Sequence, residues 1–475
     1  MYGDEFLRNN RERYHNLFFL SRLGMIPISC IGALLVFWWA RELYGDIPAL
    51  LPCALYVICP NLLAHGSIVG TDTCTTVAML AAAWGWWRFC REGRWRWWML
   101  AVLAAAAAML SKQTAILLVG MMVIVAWLVL PRQPKAWVRA GGAFAGAMVL
   151  ILILINAGYL FQGSLRRLDS FQFTSQRMRS TQASMGAMRL PLPGPLLDGI
   201  DALNGELEAG AGAYLLGDYY GGSKFYYYPV ALACKLPVGT LALFAWGMFS
   251  LWQWAAPRRE ASRDEWAILA TLGLYLLFAM FLGRVNLGVR YVLPVLPLGF
   301  ILCGRLWPAE QRDRPAAVQW SVIVLIAAAA LESLIAAPRF IPFMNFAWGG
   351  PKSGYTILND SSFDWGQGLI DLKQWMSDTG VKRVHLAYFG SVEPSVYGID
   401  YVPLSKDSDD EYVAISSYFL TGMPQRLHTQ EGVTSIAGVE FFRELQERTP
   451  VARIGWTIYI FTRDDYLAAI RDHAL

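Results

Sequence analysis

Charged side chains are scarce in this chain, and their scarcity excludes an ordinary soluble protein. Only 16% of the 475 residues are charged, whereas 56% are hydrophobic and 14% are aromatic. Several apolar runs approach or exceed the length of about 20 residues that a helix needs to cross a bilayer. The composition therefore predicts a polytopic α-helical membrane protein.

Cysteine is confined to one part of the chain. All seven cysteines lie in or beside apolar runs, and none occurs in residues 338–475. This distribution excludes a disulfide framework, and the sequence has no spacing typical of metal ligands. Residues 338–475 also lack a nucleophile elbow and a Gly-rich phosphate loop. We therefore expect neither a metal nor a cofactor.

Charge is divided unevenly along the chain. Residues 1–337 contain 28 Lys and Arg against 19 Asp and Glu, and residues 338–475 contain 12 against 17. A basic, apolar part followed by an acidic, less apolar part indicates a membrane bundle, over residues 17–337, with a soluble domain appended. The surplus of basic residues lies in loops, so nucleic acid is not expected as a partner.

The orientation of the chain follows from its short loops. Lys and Arg accumulate in cytoplasmic loops, and the loops 88–96, 131–139, 257–263 and 305–314 are each rich in arginine. With ten spans these four loops share one face, which we predict to be cytoplasmic. One feature opposes this orientation: the basic residues before the first span, which are Arg8, Arg11 and Arg13, favour a cytoplasmic N-terminus. The ten predicted spans are 17–40, 47–63, 73–90, 95–111, 113–130, 140–160, 227–255, 266–283, 289–304 and 317–337.

Two long segments then lie on the extracytoplasmic side. Residues 161–226 are too polar to span a membrane and are typical of a lid, a substrate-binding loop or a disordered segment. Residues 338–475 combine β-branched runs with helical periodicity, which predicts a small α/β domain. Its strands are expected at 384–389, 412–418 and 456–462, and its helices at 367–377 and 439–447.

Four side-chain features allow a structural interpretation. The run Phe225–Tyr228 fits an aromatic belt at the membrane interface. Lys235 lies inside the following span, from which its long side chain could extend to the interface. In the motif DSSFDWGQ we expect Asp364 near the first turn of the helix that follows. Trp365 is expected to pack in the domain and not to contact a sugar.

Two polar stretches, residues 60–73 and 283–297, interrupt apolar sequence on the extracytoplasmic face. Ionisable groups in such positions are costly unless they face a cavity, so these stretches are candidates for function. If they meet, an acidic group and basic groups lie opposite one another. The residues of interest are His65, Asp72, Arg284, Arg290 and Tyr291.

The chemistry of these side chains suits sugar transfer from a lipid-linked donor. The planar fork of Arg290 and the hydroxyl of Tyr291 are suited to phosphate oxygens. The carboxylate of Asp72 can accept a proton from an acceptor hydroxyl. The alternative is structural: Asp72 could cap the helix that begins at Thr73, and Arg290 could pair with lipid headgroups.

Several motifs occur in an order that is typical of one family. They are PNLLAHGSIVGTDT from Pro60, SKQTA from Ser111, YYYPVALACKLP from Tyr226, NLGVRYVLPVLP from Asn286, NFAWGGP from Asn345 and DSSFDWGQ from Asp360. With these motifs the chain resembles the polyprenyl-phosphate-sugar-dependent glycosyltransferases of the GT-C class. This branch contains the protein O-mannosyltransferases and the aminoarabinose transferases.

The resemblance implies a helical bundle whose catalytic centre opens to the extracytoplasmic side. The family transfers the sugar by direct displacement with inversion, and an aspartate of the first external loop acts as base. Arg290 and Tyr291 are then expected near the donor phosphate. Asp72, with His65, would line the acceptor or sugar pocket, and Lys112 is a weaker candidate for phosphate binding.

The chain departs from the family pattern at its start. Members begin with a membrane helix and an Asp-Glu pair, whereas here residues 1–16 correspond to the end of the first external loop. Asp4 and Glu5 imitate that pair, but their position fits the end of the loop. The resemblance therefore leads us to expect an incomplete catalytic loop and a poorly active or inactive enzyme.

The sequence thus predicts a glycosyltransferase of a bacterial inner or plasma membrane. Its donor is a polyprenyl-phosphate sugar, and its acceptor hydroxyl belongs to a glycan, a lipid or a protein. Membrane lipids are its other expected partners. The alternatives are a transporter or lipid flippase, or an impaired homologue that acts as a scaffold. A transporter binds near the bilayer midplane and often has internal repeats, and neither feature is evident here.

Overall fold

The computed structural model describes most of the chain, with gaps in several loops. The described residues are 2–209, 212–253, 260–283, 285–307, 316–404, 409–423, 425–429, 432–436 and 441–473. Arg284 and parts of the predicted cytoplasmic loops 257–263 and 305–314 lie outside them.

The described chain is mostly helical. Its α-helices are α1 Tyr2–Asn9, α2 Tyr14–Leu23, α3 Met25–Tyr44, α4 Leu50–Ile58, α5 Pro60–Gly66, α6 Thr71–Glu92, α7 Trp95–Ser111, α8 Leu117–Val129, α9 Pro134–Gly158, α10 Gln176–Met185, α11 Gly194–Ala209, α12 Tyr227–Lys235, α13 Val238–Gln253, α14 Glu260–Leu277, α15 Val295–Cys303, α16 Ala316–Ala336, α17 Pro351–Gly354, α18 Leu369–Thr379, α19 Ser417–Leu420, α20 Phe441–Glu447 and α21 Arg463–His473.

Among the described residues, four helical segments are long and apolar enough to cross a membrane. They are Arg11–Tyr44, Pro134–Gly158, Arg263–Leu282 and Ala316–Ala336. Shorter apolar helices occupy Trp95–Ser111, Gln113–Val129, Val238–Trp252 and Val295–Leu306. The prediction of a helical integral membrane protein is confirmed, whereas the count of ten spans stays a prediction.

Proline interrupts two of the predicted spans. The span predicted at 47–63 consists of α4 and α5, which are separated by the extended backbone of Cys59 (φ −68°, ψ 116°). The span predicted at 227–255 consists of α12 and α13, which are separated at Leu236 and Pro237. Because proline has no N–H, it can begin a helix but cannot continue one.

A buried network of charged and aromatic side chains lies at the end of the bundle that carries the arginine-rich loops. Asp264 accepts a hydrogen bond from Trp87 Nε1 at 2.8 Å. Glu265 accepts from Tyr44 Oη at 2.9 Å and from Arg305 Nη1 at 3.0 Å. Both carboxylates are at most 5% exposed, and they join helices that are distant in sequence.

The loop between α9 and α12 is an ordered helical pair with a hairpin. Asp201 of α11 accepts four hydrogen bonds, from the backbone N–H and the hydroxyl of both Thr174 and Ser175. Glu208 accepts from two backbone N–H groups in the first turn of α10. The hairpin pairs β1 Gly212–Leu215 with β2 Asp218–Gly221. These contacts give the described part of the segment a hydrogen-bonded structure of its own, and its role as a lid or a substrate-binding loop stays a prediction.

The C-terminal residues form a mixed five-stranded sheet in the order β4-β3-β5-β9-β8, flanked by helices. The central strand β5 runs parallel to β3 and antiparallel to β9. Three strands and two helices lie where the pattern predicts them, within a few residues. The strands are β3 Val384–Ala387, β4 Tyr401–Pro403, β5 Tyr412–Ser416, β8 Ala452–Ile454 and β9 Ile458–Thr462, with a separate hairpin of β6 Gln425–Thr429 and β7 Gly432–Ile436.

Lys235 joins this C-terminal part to the bundle. Its side chain is buried, and Nζ donates to the carbonyl oxygens of Ile341 and Ser362, both at 2.7 Å. The sequence left open that this side chain extends to the membrane interface; in the structure it is buried against backbone carbonyls. The ammonium instead satisfies two backbone carbonyls of the segment that follows α16, where an unpaired charge would be costly.

Two further polar side chains strengthen the same junction. Asn345 Nδ2 donates to the carbonyl oxygens of Ala233 and Leu236 at 2.7 Å, at the end of α12. Glu332 of α16 accepts from the backbone N–H of Val238 at 3.0 Å. At the break between α12 and α13, backbone groups that lack partners within a helix are thus hydrogen-bonded by side chains from α16 and from the segment after it.

Candidate functional site

The turn before α15 is held in an extended, fixed shape by hydrogen bonds. Gly288 has φ +74° and ψ 171°, a conformation that is essentially restricted to glycine. Its N–H donates to Tyr227 Oη at 3.0 Å, and the N–H of Val289 donates to Ser362 Oγ at 3.3 Å. The turn therefore depends on contacts from both the bundle and the C-terminal part.

Tyrosines from the predicted aromatic belt build this turn. Tyr227 and Tyr228 are almost fully buried, and Tyr228 Oη donates to the carbonyl of Val285 at 3.2 Å. Phe225 and Tyr226 are exposed to 56% and 36%. The belt interpretation is consistent with these first two residues and is wrong for the last two, whose hydroxyls face the turn.

Arg290 lies in the short 3-10 helix Val289–Val292 that follows the turn. Its Nε donates to the carbonyl of Leu287 at 3.3 Å. Its guanidinium carbon lies 5.1 Å from the ring centroid of Trp365 and 5.4 Å from that of Tyr291. Within the described part of the chain no carboxylate forms an ion pair with Arg290, so the guanidinium is suited to bind an anion from outside the chain.

Asp72 and Lys112 form an ion pair beside Tyr291. Lys112 Nζ lies 2.5 Å from Asp72 Oδ1, and the two side chains are 19% and 11% exposed. The same Nζ lies 4.0 Å from the ring centroid of Tyr291. Lys112 follows the last residue of α7, and Asp72 belongs to the first turn of α6.

Asp72 does not cap its helix. The helix begins at Thr71, one residue before Asp72, and its N-terminus has no side-chain cap. The carboxylate still lies in the first turn, where the helix dipole favours negative charge. The alternative that Asp72 serves as a cap is therefore wrong, and its one described side-chain partner is Lys112.

A cavity of about 850 Å³ extends from this cluster toward the apolar face of α11. Its polar lining includes the basic side chains of Lys112 and Arg177 and the side chains of Gln113, Tyr228 and Tyr291. Much of the remaining lining is apolar, with residues such as Leu110, Leu203, Leu207, Phe278, Phe281 and Leu282. Phe281 and Leu282 are 62% and 69% exposed, so the apolar side is open to the surroundings of the bundle.

The predicted site residues fall into two neighbouring groups. Lys112 and Tyr291 line the cavity, and Asp72 joins them through its ion pair. Arg290 and His65 are not among the lining residues, and both contact Trp365. The ring of His65 is 7% exposed and lies 5.8 Å from the Trp365 ring, centroid to centroid. Tyr291 is next to Arg290 and connects the two groups.

Trp365 is one of the residues whose surroundings differ from the prediction. We expect it to pack in the C-terminal domain, whereas its ring contacts His65 and Arg290 of the bundle. One feature of the sequence could have indicated this position: Trp365 lies between Asp364 and Gly366, and such a turn does not require a large side chain in the core.

Among the described side chains, Glu5 near the N-terminus forms no hydrogen bond or ion pair with this cluster. Glu5 lies on α1 and its side chain is exposed. The side chain of Asp4 lies outside the described residues. For the described residues, nothing connects α1 to Asp72, Lys112 or Tyr291.

A second group of ionisable side chains lies in the C-terminal sheet, although the sequence pattern contains no metal-ligand spacing. His385, Asp409 and Asp410 place one ligand atom each within 4.8 Å of one another. Arg383 donates to both carboxylate oxygens of Asp410 at 2.9 to 3.1 Å. The backbone N–H of Asp409 donates to His385 Nε2 at 3.1 Å. These internal partners indicate an ion-pair network between β3 and the start of β5.

One known family matches the N-terminal part of the chain. Residues 15–159 match the family described as dolichyl-phosphate-mannose-protein mannosyltransferase. The resemblance to the GT-C glycosyltransferases is confirmed. The matched part contains His65, Asp72 and Lys112, whereas Arg290 and Trp365 lie beyond it. No curated protein sequence matches the chain.

Two solved structures of ArnT from Cupriavidus metallidurans are similar to the chain at 12% sequence identity. The structure bound to undecaprenyl phosphate has a TM-score of 0.44 and covers 93% of this chain and 83% of that one. The structure in the apo state has a TM-score of 0.43 and covers 94% and 84%.

Asp364 was expected near the start of a helix, but it is buried in the turn that precedes α18. Its Oδ1 accepts from the backbone N–H of Gly366 at 2.8 Å, and Ser417 Oγ lies 3.4 Å from Oδ2. Burial raises the pKa of Asp364 to about 7, and these hydrogen bonds offset only part of that effect. The folded protein therefore holds a proton here that the unfolded chain releases near pH 4.

We expect this proton to make stability depend on pH. Because the folded state binds it more tightly, the free energy of unfolding falls as the pH rises from about 4 to about 7. Asp364→Asn keeps the shape of the neutral acid and removes the titration. As the pH rises through this range, the melting temperature of the variant should rise relative to that of the parent. The effects of the other carboxylates are the same in both proteins and cancel in the difference. A difference that does not change with pH would contradict the assignment.

Proposed function

We propose that this protein transfers a sugar from a polyprenyl-phosphate donor to an extracytoplasmic hydroxyl group, with inversion. The observation that carries the proposal is a cavity lined by Lys112, Arg177 and Tyr291 together with many apolar residues, two of which, Phe281 and Leu282, are exposed at the surface of the bundle. A polyprenyl chain fits apolar walls that open toward the bilayer, and a phosphate fits an ammonium, a phenol and the adjacent guanidinium of Arg290. The family that residues 15–159 match is named for a dolichyl-phosphate-mannose donor, which supports the same class of donor.

Each group has a role in the displacement. The acceptor hydroxyl attacks the anomeric carbon, and its proton passes to the carboxylate of Asp72. The bond from that carbon to the phosphate oxygen breaks, and the phosphate leaves with the bonding electrons. Arg290 and Lys112 stabilise the charge on the departing phosphate, while Tyr291 donates a hydrogen bond. Lys112 also fixes Asp72, and a fixed base is more effective than a mobile one.

The direct test follows the sugar. Purified protein is incubated in proteoliposomes with a labelled polyprenyl-phosphate sugar and a cell-envelope acceptor fraction. We expect label to move to the acceptor and free polyprenyl phosphate to accumulate. Movement of the intact labelled lipid between leaflets, without cleavage, would instead identify a flippase.

We further propose that residues 338–475 and the site lie on the extracytoplasmic side. The arginine-rich loops 88–96 and 131–139, with the carboxylate network near them, favour a cytoplasmic location for the opposite end of the bundle. Alkaline phosphatase is active only after export. A fusion after Arg94 should therefore be inactive, and a fusion after Ser184 should be active. The reverse pattern would overturn the orientation.

A further inference from the structure

Trp365 is held by its own turn. Its backbone N–H donates to Gln367 Oε1 at 2.6 Å, and its indole Nε1 donates to the carbonyl of Ser361 at 2.6 Å. Gly366, at φ +74°, has its carbonyl bonded to Tyr388 Oη at 2.8 Å. Both donors of the tryptophan are thus used inside the turn, so the ring orientation does not depend on the residues that it faces.

The ring is directed away from the core of the C-terminal sheet. It is half-buried, and its two aromatic or cationic contacts are the edge of His65 and the guanidinium of Arg290. By contrast, Trp375 of α18 packs on Tyr412 of strand β5, at 5.6 Å between ring centroids. Trp365 therefore contributes little to the C-terminal core and much to the surroundings of Arg290.

Three contacts restrict the guanidinium of Arg290. Its central carbon lies over the rings of Trp365 and Tyr291, at 5.1 and 5.4 Å from their centroids, and its Nε donates to the carbonyl of Leu287. A planar fork that is restricted in this way is suited to bind two phosphate oxygens. A lysine has no planar face and would lose this restriction.

We propose that Trp365 is a positioning residue that holds the Arg290 guanidinium against its ring for the donor phosphate. The proposal rests on the proposed function, and it means that the C-terminal part contributes a side chain to the site. Trp365 acts on the phosphate through Arg290 and does not touch the reacting atoms.

The test is a double-mutant cycle on binding and on activity. Binding of a polyprenyl phosphate without sugar is measured on the full chain in detergent, together with KM and kcat for the sugar donor. Trp365→Ala should weaken binding and raise KM by about tenfold, with a smaller change in kcat. Trp365→Phe keeps a ring face and should recover part of the loss. In an Arg290→Met protein, Trp365→Ala should weaken binding little further, because each substitution alone already removes the contact between the two residues.

Trp375→Ala is the matched control, because it removes an indole that packs helix α18 on the sheet, and its full effect should add to that of Arg290→Met. If Trp365→Ala does not fold, Trp365→Phe completes the cycle. Unchanged binding in a folded Trp365 variant, or an effect that adds fully to Arg290→Met, would overturn the proposal. Failure of the unaltered protein to bind polyprenyl phosphate would refute the proposed function itself, which is a separate result.

Discussion

Arg290→Met should lower kcat/KM for a polyprenyl-phosphate sugar by about 10²- to 10³-fold, the usual effect of removing one donor that stabilises developing charge. Methionine keeps the apolar length of the side chain but has no N–H groups. Among the described residues, Arg290 has no carboxylate partner that would be left unpaired, so the fold should survive. The measurement is the rate of label transfer at several donor concentrations.

The control for this substitution is Arg189→Met, which removes an exposed arginine from the loop between α10 and α11. It should leave the rate within twofold of the parent, an estimate in line with the small effects of exposed charges (about 1 kcal/mol or less). Equal losses in both variants would mean that net charge, and not the position of Arg290, governs donor binding.

Gly288→Ala should damage both stability and activity. At φ +74° and ψ 171° a side chain is strained, which costs on the order of 1–3 kcal/mol. The added methyl carbon would also lie 2.8 Å from the hydroxyl oxygens of both Ser361 and Ser362. Relief of that clash costs about 1–3 kcal/mol more. The turn would have to move, and it positions Arg290 two residues later.

Thermal unfolding in detergent measures the stability effect, and label transfer measures the effect on the site. Gly273→Ala is the comparison, because a methyl group at that helical glycine meets nothing within 4 Å. It should leave the melting temperature unchanged or raise it slightly. A Gly288→Ala protein as stable and active as Gly273→Ala would show that the turn is more adaptable than its contacts indicate.

Sequence patterns located the candidate side chains more readily than their partners. Asp72 and Lys112 were each singled out by local features, yet their ion pair joins residues 40 positions apart. Short-range periodicity contains no information about that pairing. The contact between Trp365 and His65 spans 300 positions, so reasoning from the local turn assigned the tryptophan to the wrong surroundings.

Local sequence patterns also determine which strands of the C-terminal sheet could be predicted and which could not. Strands β3, β5 and β9 have a strong β-branched or apolar pattern because they are buried in the sheet. Strands β4 and β8 contain three residues each, too few for an alternation to be recognised. The breaks at Pro60 and Pro237 were available from proline chemistry, but long apolar runs obscured them.

The contact of Lys235 with Ile341 and Ser362 also has a consequence for biosynthesis. The two acceptor carbonyls lie 106 and 127 residues downstream of the lysine. While the chain emerges from the ribosome, α12 is therefore complete long before either acceptor has been made. These two hydrogen bonds can form only after the segment that follows α16 has been made. The last part to be translated thus completes contacts inside a helix bundle made earlier, and a chain that stops before Ile341 lacks both of these acceptor carbonyls.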